Sequence, residues 1–135
     1  MKHKPKIKIT NSKAYYDYHI EDPVNAGLVL TSNDVKAIRS GTVRLQGNHV
    51  AISIGGADVV GVSGFEAPRR LLLTSKELND LIKWTSIKGN TALVTEIFEN
   101  DRGLFKAVVA HAKGKKLHDK RASLKEKDIK REINE

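Results

Sequence analysis

Thr91-Ala92-Leu93-Val94-Thr95-Glu96-Ile97-Phe98 and Leu104-Phe105-Lys106-Ala107-Val108-Val109-Ala110-His111, joined by Glu99-Asn100-Asp101-Arg102-Gly103, decide the fold. Both runs are rich in Val, Ala and Phe and the five residues between them are polar turn formers, so the spacing predicts two paired strands. Upstream, Val50, Ile52 and Ile54 alternate with small residues, and Gly55-Gly56 turns the chain into Asp58-Val59-Val60-Gly61-Val62. Further back, Tyr16, Tyr18 and Ile20 alternate as a half-buried strand would. Asp22-Pro23 punctuates that run, and Ala26-Gly27-Leu28-Val29-Leu30 follows as the second strand of a hairpin-like pair.

Two helices interrupt the strands. Thr31-Ser32-Asn33-Asp34 places a hydroxyl at the cap and an acid three residues on, and the helix runs to Ser40-Gly41 with Val35 and Ile38 on one side and Lys36 and Arg39 on the other. Pro68 marks a boundary before Arg69-Arg70-Leu71-Leu72-Leu73, after which Thr74-Ser75-Lys76-Glu77 is a capping box. Leu78, Leu81 and Ile82 follow at helical spacing, which predicts about three turns ending near Gly89. Six strands and two short helices in this order predict a mainly β domain, a small closed antiparallel barrel.

Charge divides the 135 residues into three parts. Residues 1–13 carry +5, residues 14–112 carry −1 and residues 113–135 carry +4, for a formal total of +8. The expectation is a flexible basic N-terminus (1–13), one barrel domain (14–112) and a basic C-terminal tail (113–135). Ser123-Leu124-Lys125-Glu126 opens a second capping box in that tail, but only Leu124, Ile129 and Ile133 are large and apolar behind it. A solitary helix of that length is marginal in water, so the tail is expected to be poorly ordered alone and helical against a surface. There is no cysteine and no apolar run near the ~20 residues that span a bilayer, which predicts a soluble intracellular protein. No apolar stripe is left over for self-association, so a monomer is expected.

A near-neutral body with two basic ends is the electrostatic footprint of a phosphate binder. The eight residues Gly114-Lys115-Lys116-Leu117-His118-Asp119-Lys120-Arg121 concentrate four permanent cations and one histidine. Gly114 would let a sugar–phosphate backbone approach closely, and Tyr15, Tyr16 and Tyr18 would offer a stacking surface. Catalytic readings are weaker. His3, His19, His49, His111 and His118 show no paired spacing for acid–base cleavage of RNA, and His19 and His111 are expected at solvent-facing strand positions. No metal-ligand spacing, nucleotide-cradling glycine loop or nucleophile elbow is present, so neither an enzyme nor a cofactor is expected. No helix stands out as a reader of double-stranded DNA, and folded RNA is the better match.

The order of segments is also recognisable. Asn11-Ser12-Lys13-Ala14-Tyr15-Tyr16-Asp17-Tyr18-His19-Ile20-Glu21 followed by Ala26 to Gly41 resembles the N-terminal signature of SmpB, the SsrA-binding protein family. Arg69-Arg70-Leu71-Leu72-Leu73 with Glu77-Leu78 and Leu81-Ile82 is similar to that family's second helix and its approach, and Gly114 to Arg121 looks like its most diagnostic motif. The resemblance implies an OB-like barrel that binds the transfer-RNA-like domain of transfer-messenger RNA (tmRNA, SsrA RNA) in the cytoplasm. It further implies delivery of that RNA to the small-subunit decoding region of stalled ribosomes, without catalysis. Carried over by position, it implies that Asn11, Lys13, Asp34, Lys36, Gly114, Lys115 and Lys116 face tmRNA. Asp119, Lys120, Arg121, Lys125, Lys127, Lys130 and Arg131 would then face the ribosome. Arg44-Leu45-Gln46-Gly47-Asn48-His49 departs from the family's pattern, which leaves open an alternative: a general OB-like RNA chaperone or ribosome-associated protein without tmRNA specificity.

Overall fold

A computed structural model describes residues 7–115. In chain order its elements are β1 (Lys8–Thr10), α1 (Ser12–Asp17), β2 (Tyr18–Leu28), α2 (Ser32–Arg39), β3 (His49–Ser53), β4 (Gly56–Val60), β5 (Arg69–Leu72), α3 (Ser75–Thr85), β6 (Asn90–Glu99) and β7 (Phe105–Gly114). The strands form one antiparallel sheet in the order β1-β6-β7-β2-β5-β4-β3. The two hairpins that open the sequence argument, β6–β7 and β3–β4, are both present. Its core joins Ile38 of α2 and Leu81 of α3 to Ala26, Val59, Leu71, Val94, Ile97 and Val109 of the sheet, all nearly inaccessible to water.

Both expected helices form for the expected reason. Thr31 Oγ1 accepts from the Asp34 N–H at 3.2 Å while Asp34 Oδ2 accepts from the Thr31 N–H at 2.9 Å. Thr74 and Glu77 repeat the exchange at 3.1 and 2.8 Å. Each reciprocal pair satisfies donors that the first turn of a helix would leave free.

The closed barrel is corrected. Among the described residues the sheet is open, with β1 and β3 as its edges. The edge of β6 that β3 approaches is already occupied. β1 takes Glu96 to Phe98, and the Asn11 N–H donates to the Thr95 carbonyl at 2.8 Å. The Asn48 side-chain amide then takes Val94 from both sides, donating to its carbonyl at 2.9 Å and accepting from its N–H at 2.8 Å. One buried amide therefore stands where a strand would pair, satisfying backbone groups that burial would otherwise penalise. β6 bulges at this point, since its register with β7 slips between Val94 and Glu96.

Three further expectations change. Lys8–Thr10 form β1 and Ser12–Asp17 form α1, so Tyr16, expected on a strand, lies on a helix and the strand begins at Tyr18. Asp22-Pro23 does not divide two strands: β2 runs through it on a bulge between Glu21 and Val24, with Asp22 at φ 42. A proline has no N–H for the ladder and fits at such a bulge. Arg69–Leu72, read only as an approach to a helix, is the strand that joins β2 to β4.

Candidate nucleic-acid interface

The short helix α1 gathers part of the expected site. Asn11 precedes it, buried, with its N–H on Thr95 and its amide Nδ2 donating to the Leu45 carbonyl at 3.4 Å. Lys13 lies exposed on its first turn. Its other end holds Lys115, whose N–H donates to the Asp17 carbonyl at 3.1 Å and whose ammonium donates to the Tyr15 carbonyl at 2.9 Å. That arrangement is a cation at a helix C-terminus, where unsatisfied carbonyls favour positive charge. Gly114 ends β7 opposite Tyr18, exposed, with its N–H on the Gly89 carbonyl at 3.3 Å. Ala14 anchors α1 on Leu93 and Ala112, so the helix is fixed to the outside of β6 and β7.

Beside α1 run two adjoining hollows that share Asn11, Lys13 and Gln46. One, of about 390 Å³, adds Lys8 and Arg44; the other, of about 330 Å³, adds Asp17, Tyr18, Asn48 and His49. The groove thus carries Lys8, Lys13 and Arg44 against the single acid Asp17. Lys8 also pairs with Glu96 at 3.2 Å. The Arg44 guanidinium is partly engaged, donating to the carbonyls of Gly41 (2.7 Å) and Val43 (3.1 Å). Of the three tyrosines, Tyr15 is 55 % exposed, Tyr16 is half-buried and Tyr18 packs against the cluster beneath α1, so Tyr15 is the ring most open to stacking.

Asp34 and Lys36 lie elsewhere, on α2. Lys36 is exposed. Asp34 is only 2 % exposed, and Arg69 grips both of its oxygens, Nε on Oδ2 and Nη2 on Oδ1, the latter at 3.1 Å. Burial pushes this carboxyl up. Hydrogen bonds from Arg69 and Thr31, with the Arg69 charge, outweigh burial and hold it below the ordinary carboxylate range; the same bond raises the Arg69 guanidinium. Lys116 and the expected ribosome-facing residues, Asp119, Lys120, Arg121, Lys125, Lys127, Lys130 and Arg131, lie outside the described residues.

Sequence reasoning missed a second exposed face, where β2, β5 and β7 meet. Gly27 stands in register with Leu72 on one side and Lys106 on the other. Leu72 is 59 % exposed and Val29, whose N–H donates to the Arg70 carbonyl, is 49 % exposed. A Cβ on Gly27 would fall 3.1 Å from Leu72, so the missing side chain lets Leu72 lie flat across the strand. A glycine inside a strand was the available signal. Two neighbouring apolar side chains are thus left in water beside Lys106 and Arg70. His111 is a correction in the other direction. It is buried, its Nδ1 donates to the Asp22 carbonyl at 2.9 Å, and its ring meets Trp84 edge-on at 5.5 Å.

No group of three or more His, Cys, Asp or Glu side chains among the described residues could hold a metal ion. No described helix is long and apolar enough to cross a membrane.

Comparison with known proteins gives one answer. The family model described as SmpB protein matches residues 8–135. An SsrA-binding protein of Nitratiruptor sp. is 40 % identical over 140 residues, covering 94 % of this chain and 93 % of its own. One from Thermosipho africanus is 37 % identical over 142 residues, covering 96 % and 95 %. A solved chain from "tmRNA-SmpB: a journey to the center of the bacterial ribosome" superposes with a TM-score of 0.70 at 27 % identity, over 87 % of this chain and 94 % of that one.

Proposed function

We propose that this chain, which belongs to the SmpB family, is a non-catalytic adaptor that binds tmRNA and carries it to stalled ribosomes. Its place of work is the cytoplasm, where ribosomes are. The observation that carries the reading onto these residues is the joining of Asn11, Lys13, Gly114 and Lys115 around α1, beside an open groove with three cations. Two sequence segments a hundred residues apart converge there, and packing alone does not require their charge.

Each group has a chemical part in the adaptor. Lys8, Lys13 and Lys115 draw phosphates, Arg44 and Asn48 border the groove with polar groups, and Tyr15 offers a ring for an unstacked base. The Leu72–Val29 face gives apolar contact to a ribose or base edge while Lys106 meets its phosphates; the Arg70 guanidinium is held by Asp58 at 2.9 Å and the Gly55 carbonyl at 3.0 Å. Asp34 acts one step removed. With both oxygens committed to Arg69 and Thr31 it positions α2 and β5, and Lys36 is the α2 residue that meets RNA. The domain built on the β1–β7 sheet presents these faces, and the tail after Lys116 engages the ribosome through Lys120, Arg121 and the cations that follow.

The test is a mobility shift with tmRNA across a salt series. The full chain shifts tmRNA, and changing Lys13, Lys115 and Lys116 together to Ala weakens binding at least tenfold and flattens the salt dependence by roughly 2.1 to 2.7, three phosphate contacts at about 0.7 to 0.9 each. Equal affinity for an unrelated folded RNA would instead select the chaperone reading that the Arg44–His49 segment leaves open.

A further inference from the structure

The seam that leaves the sheet open is walled on one side by unpaired main chain. The Glu99 N–H donates to the Ile7 carbonyl at 2.9 Å and the Asn11 N–H to the Thr95 carbonyl at 2.8 Å. Ile9, opposite Ile97, lies between them, so Ile7, Ile9 and Asn11 all aim main-chain groups at β6. Along a strand these groups alternate in direction. The N–H and C=O of Lys8 and Thr10 therefore point away from β6, and no main-chain partner meets them among the described residues. They border the hollow of about 390 Å³ whose far wall is Gly41 with Val43 to Leu45. Arg44 of that wall spends its own N–H and C=O on Ser63, at 2.9 and 3.0 Å, and the Asn11 amide ties the two walls at the Leu45 carbonyl.

A free strand edge is a template for an added chain. Two chemistries could lie along this one, an extended peptide or a sugar–phosphate strand. A peptide strand takes its specificity from pockets for alternate side chains. The slot offers none, because Val43 and Leu45 are each 2 % exposed and already packed in the core. Charge selects in the same direction: Lys8, Lys13 and Arg44 line the hollow and no acid does. A ribonucleotide strand repeats a phosphate acceptor and a 2′-hydroxyl donor, which suits N–H and C=O groups recurring every two residues, ~6.6 Å along β1.

Resting on the adaptor reading above, we propose that the free edge of β1 is a main-chain track for one strand of tmRNA. The N–H groups of Lys8 and Thr10 donate to its phosphates, and their carbonyls accept from ribose 2′-hydroxyls. The track fixes the register of the RNA without reading a base. Because main chain carries it, any side chain at position 10 serves except proline.

The experiment measures tmRNA binding over a salt series with the full chain carrying Thr10→Pro or Thr10→Ala. Proline lacks the N–H and is tolerated on an edge strand where that group faces outward. Thr10→Pro should weaken binding about tenfold with an unchanged salt slope, since a donor is lost but no charge. Thr10→Ala should bind within twofold of the unmutated protein. Lys8→Ala, by contrast, lowers the slope by roughly 0.7 to 0.9. Amide exchange in the unmutated protein gives a second reading that depends on no variant. Carried out in the complex and read by NMR after the RNA is removed, exchange should slow at least tenfold at Lys8 and Thr10 and stay as it was at Ile9. Bound tmRNA that leaves those two amides exchanging freely would overturn the track while the adaptor reading stands, as would equal losses in Thr10→Pro and Thr10→Ala. Protection of the same amides by polyglutamate but not by tmRNA would overturn it in favour of an added peptide strand. Failure of the unmutated chain to bind tmRNA would instead sink the adaptor reading, and this inference with it.

Discussion

Two places on the same pair of strands treat their polar groups in opposite ways. Where β6 bulges at Val94, no backbone group is wasted: the Asn48 amide supplies a donor and an acceptor, Asn11 covers Thr95, and water is excluded. Where β7 ends at Gly114, glycine faces open space and lysines at 113 and 115 stand at the surface. The first arrangement is what stability asks for, since buried amides left alone cost about 1–3 kcal/mol each. The second gives the fold little beyond the bond from the Lys115 ammonium to the Tyr15 carbonyl. Residues that serve the fold and residues that serve a partner are thus separable by asking what each would lose if its neighbours were kept and its solvent side filled.

The Asp34–Arg69 pair belongs to the first kind and should break it most. Arg69→Ala leaves a carboxylate buried without its main partner, which costs on the order of 3–5 kcal/mol near neutral pH. The sign of the pH effect follows from the lowered Asp34 carboxyl. Its stabilisation is fully present above 3.8, the ordinary value, and is lost as pH falls through the depressed native value. In Arg69→Ala the guanidinium no longer opposes burial and only the Thr31 hydrogen bonds hold the carboxyl down, so Asp34 takes up a proton at higher pH than in the unmutated protein and the variant's deficit shrinks on acidification. Denaturant titrations at pH 7 and pH 4.5 check this. A deficit equal at both values would show that the pair is not what holds α2 to β5.

Asn48 follows, with a smaller effect and a sharper chemical signature. Asn48→Ala strips both partners from Val94 at once and should cost about 2–4 kcal/mol. Asn48→Asp keeps an acceptor for the Val94 N–H but sets a carboxylate against the Val94 carbonyl, so it should recover little of that loss. Amide exchange read by NMR should speed at Val94 in Asn48→Ala, and less in Asn48→Asp, which keeps the acceptor for that N–H. Protection at Val94 that survives Asn48→Ala would mean β3 or water replaces the amide, and the seam would not depend on it.

The uneven legibility of the chain has the same root as that contrast. Thr31/Asp34 and Thr74/Glu77 were readable because a capping box is settled within four residues. The β6–β7 hairpin was readable because its partners are adjacent in sequence. β1 and α1 were not, since Lys8–Thr10 becomes a strand only when Glu96 to Phe98 lies beside it, and α1 buries just Ala14. Pro23 misled because a bulge admits what a regular ladder refuses, and His111 misled because its partners are the Asp22 carbonyl in that bulge and a distant tryptophan. Of the site, the lysines and Gly114 showed as unexplained charge, whereas Arg69 and the Leu72 face needed the register of β5 to be seen at all. The closed barrel failed because β1, the Asn11 N–H and the Asn48 amide hold the edge of β6, and no pattern of apolar residues announces that a side chain will do a strand's work.

Gly114 tests the second half of the contrast with the smallest change in the fold. Its backbone is in a region open to any residue, and its Cβ would meet nothing within 4 Å. Gly114→Ala should therefore leave stability unchanged or raise it by about 0.4–1 kcal/mol, through the entropy removed from the unfolded chain. If the glycine is there for a partner, the same variant binds RNA more weakly, by about threefold, and Gly114→Val by more, because β-branched bulk now stands between the backbone and a phosphate. Thermal unfolding and the mobility shift, run on the same preparations, separate the two effects. A variant that is more stable and binds as well as the unmutated chain would show that the open space at the end of β7 is never filled, and would return Gly114 to the residues that serve only the chain's own turn toward its tail.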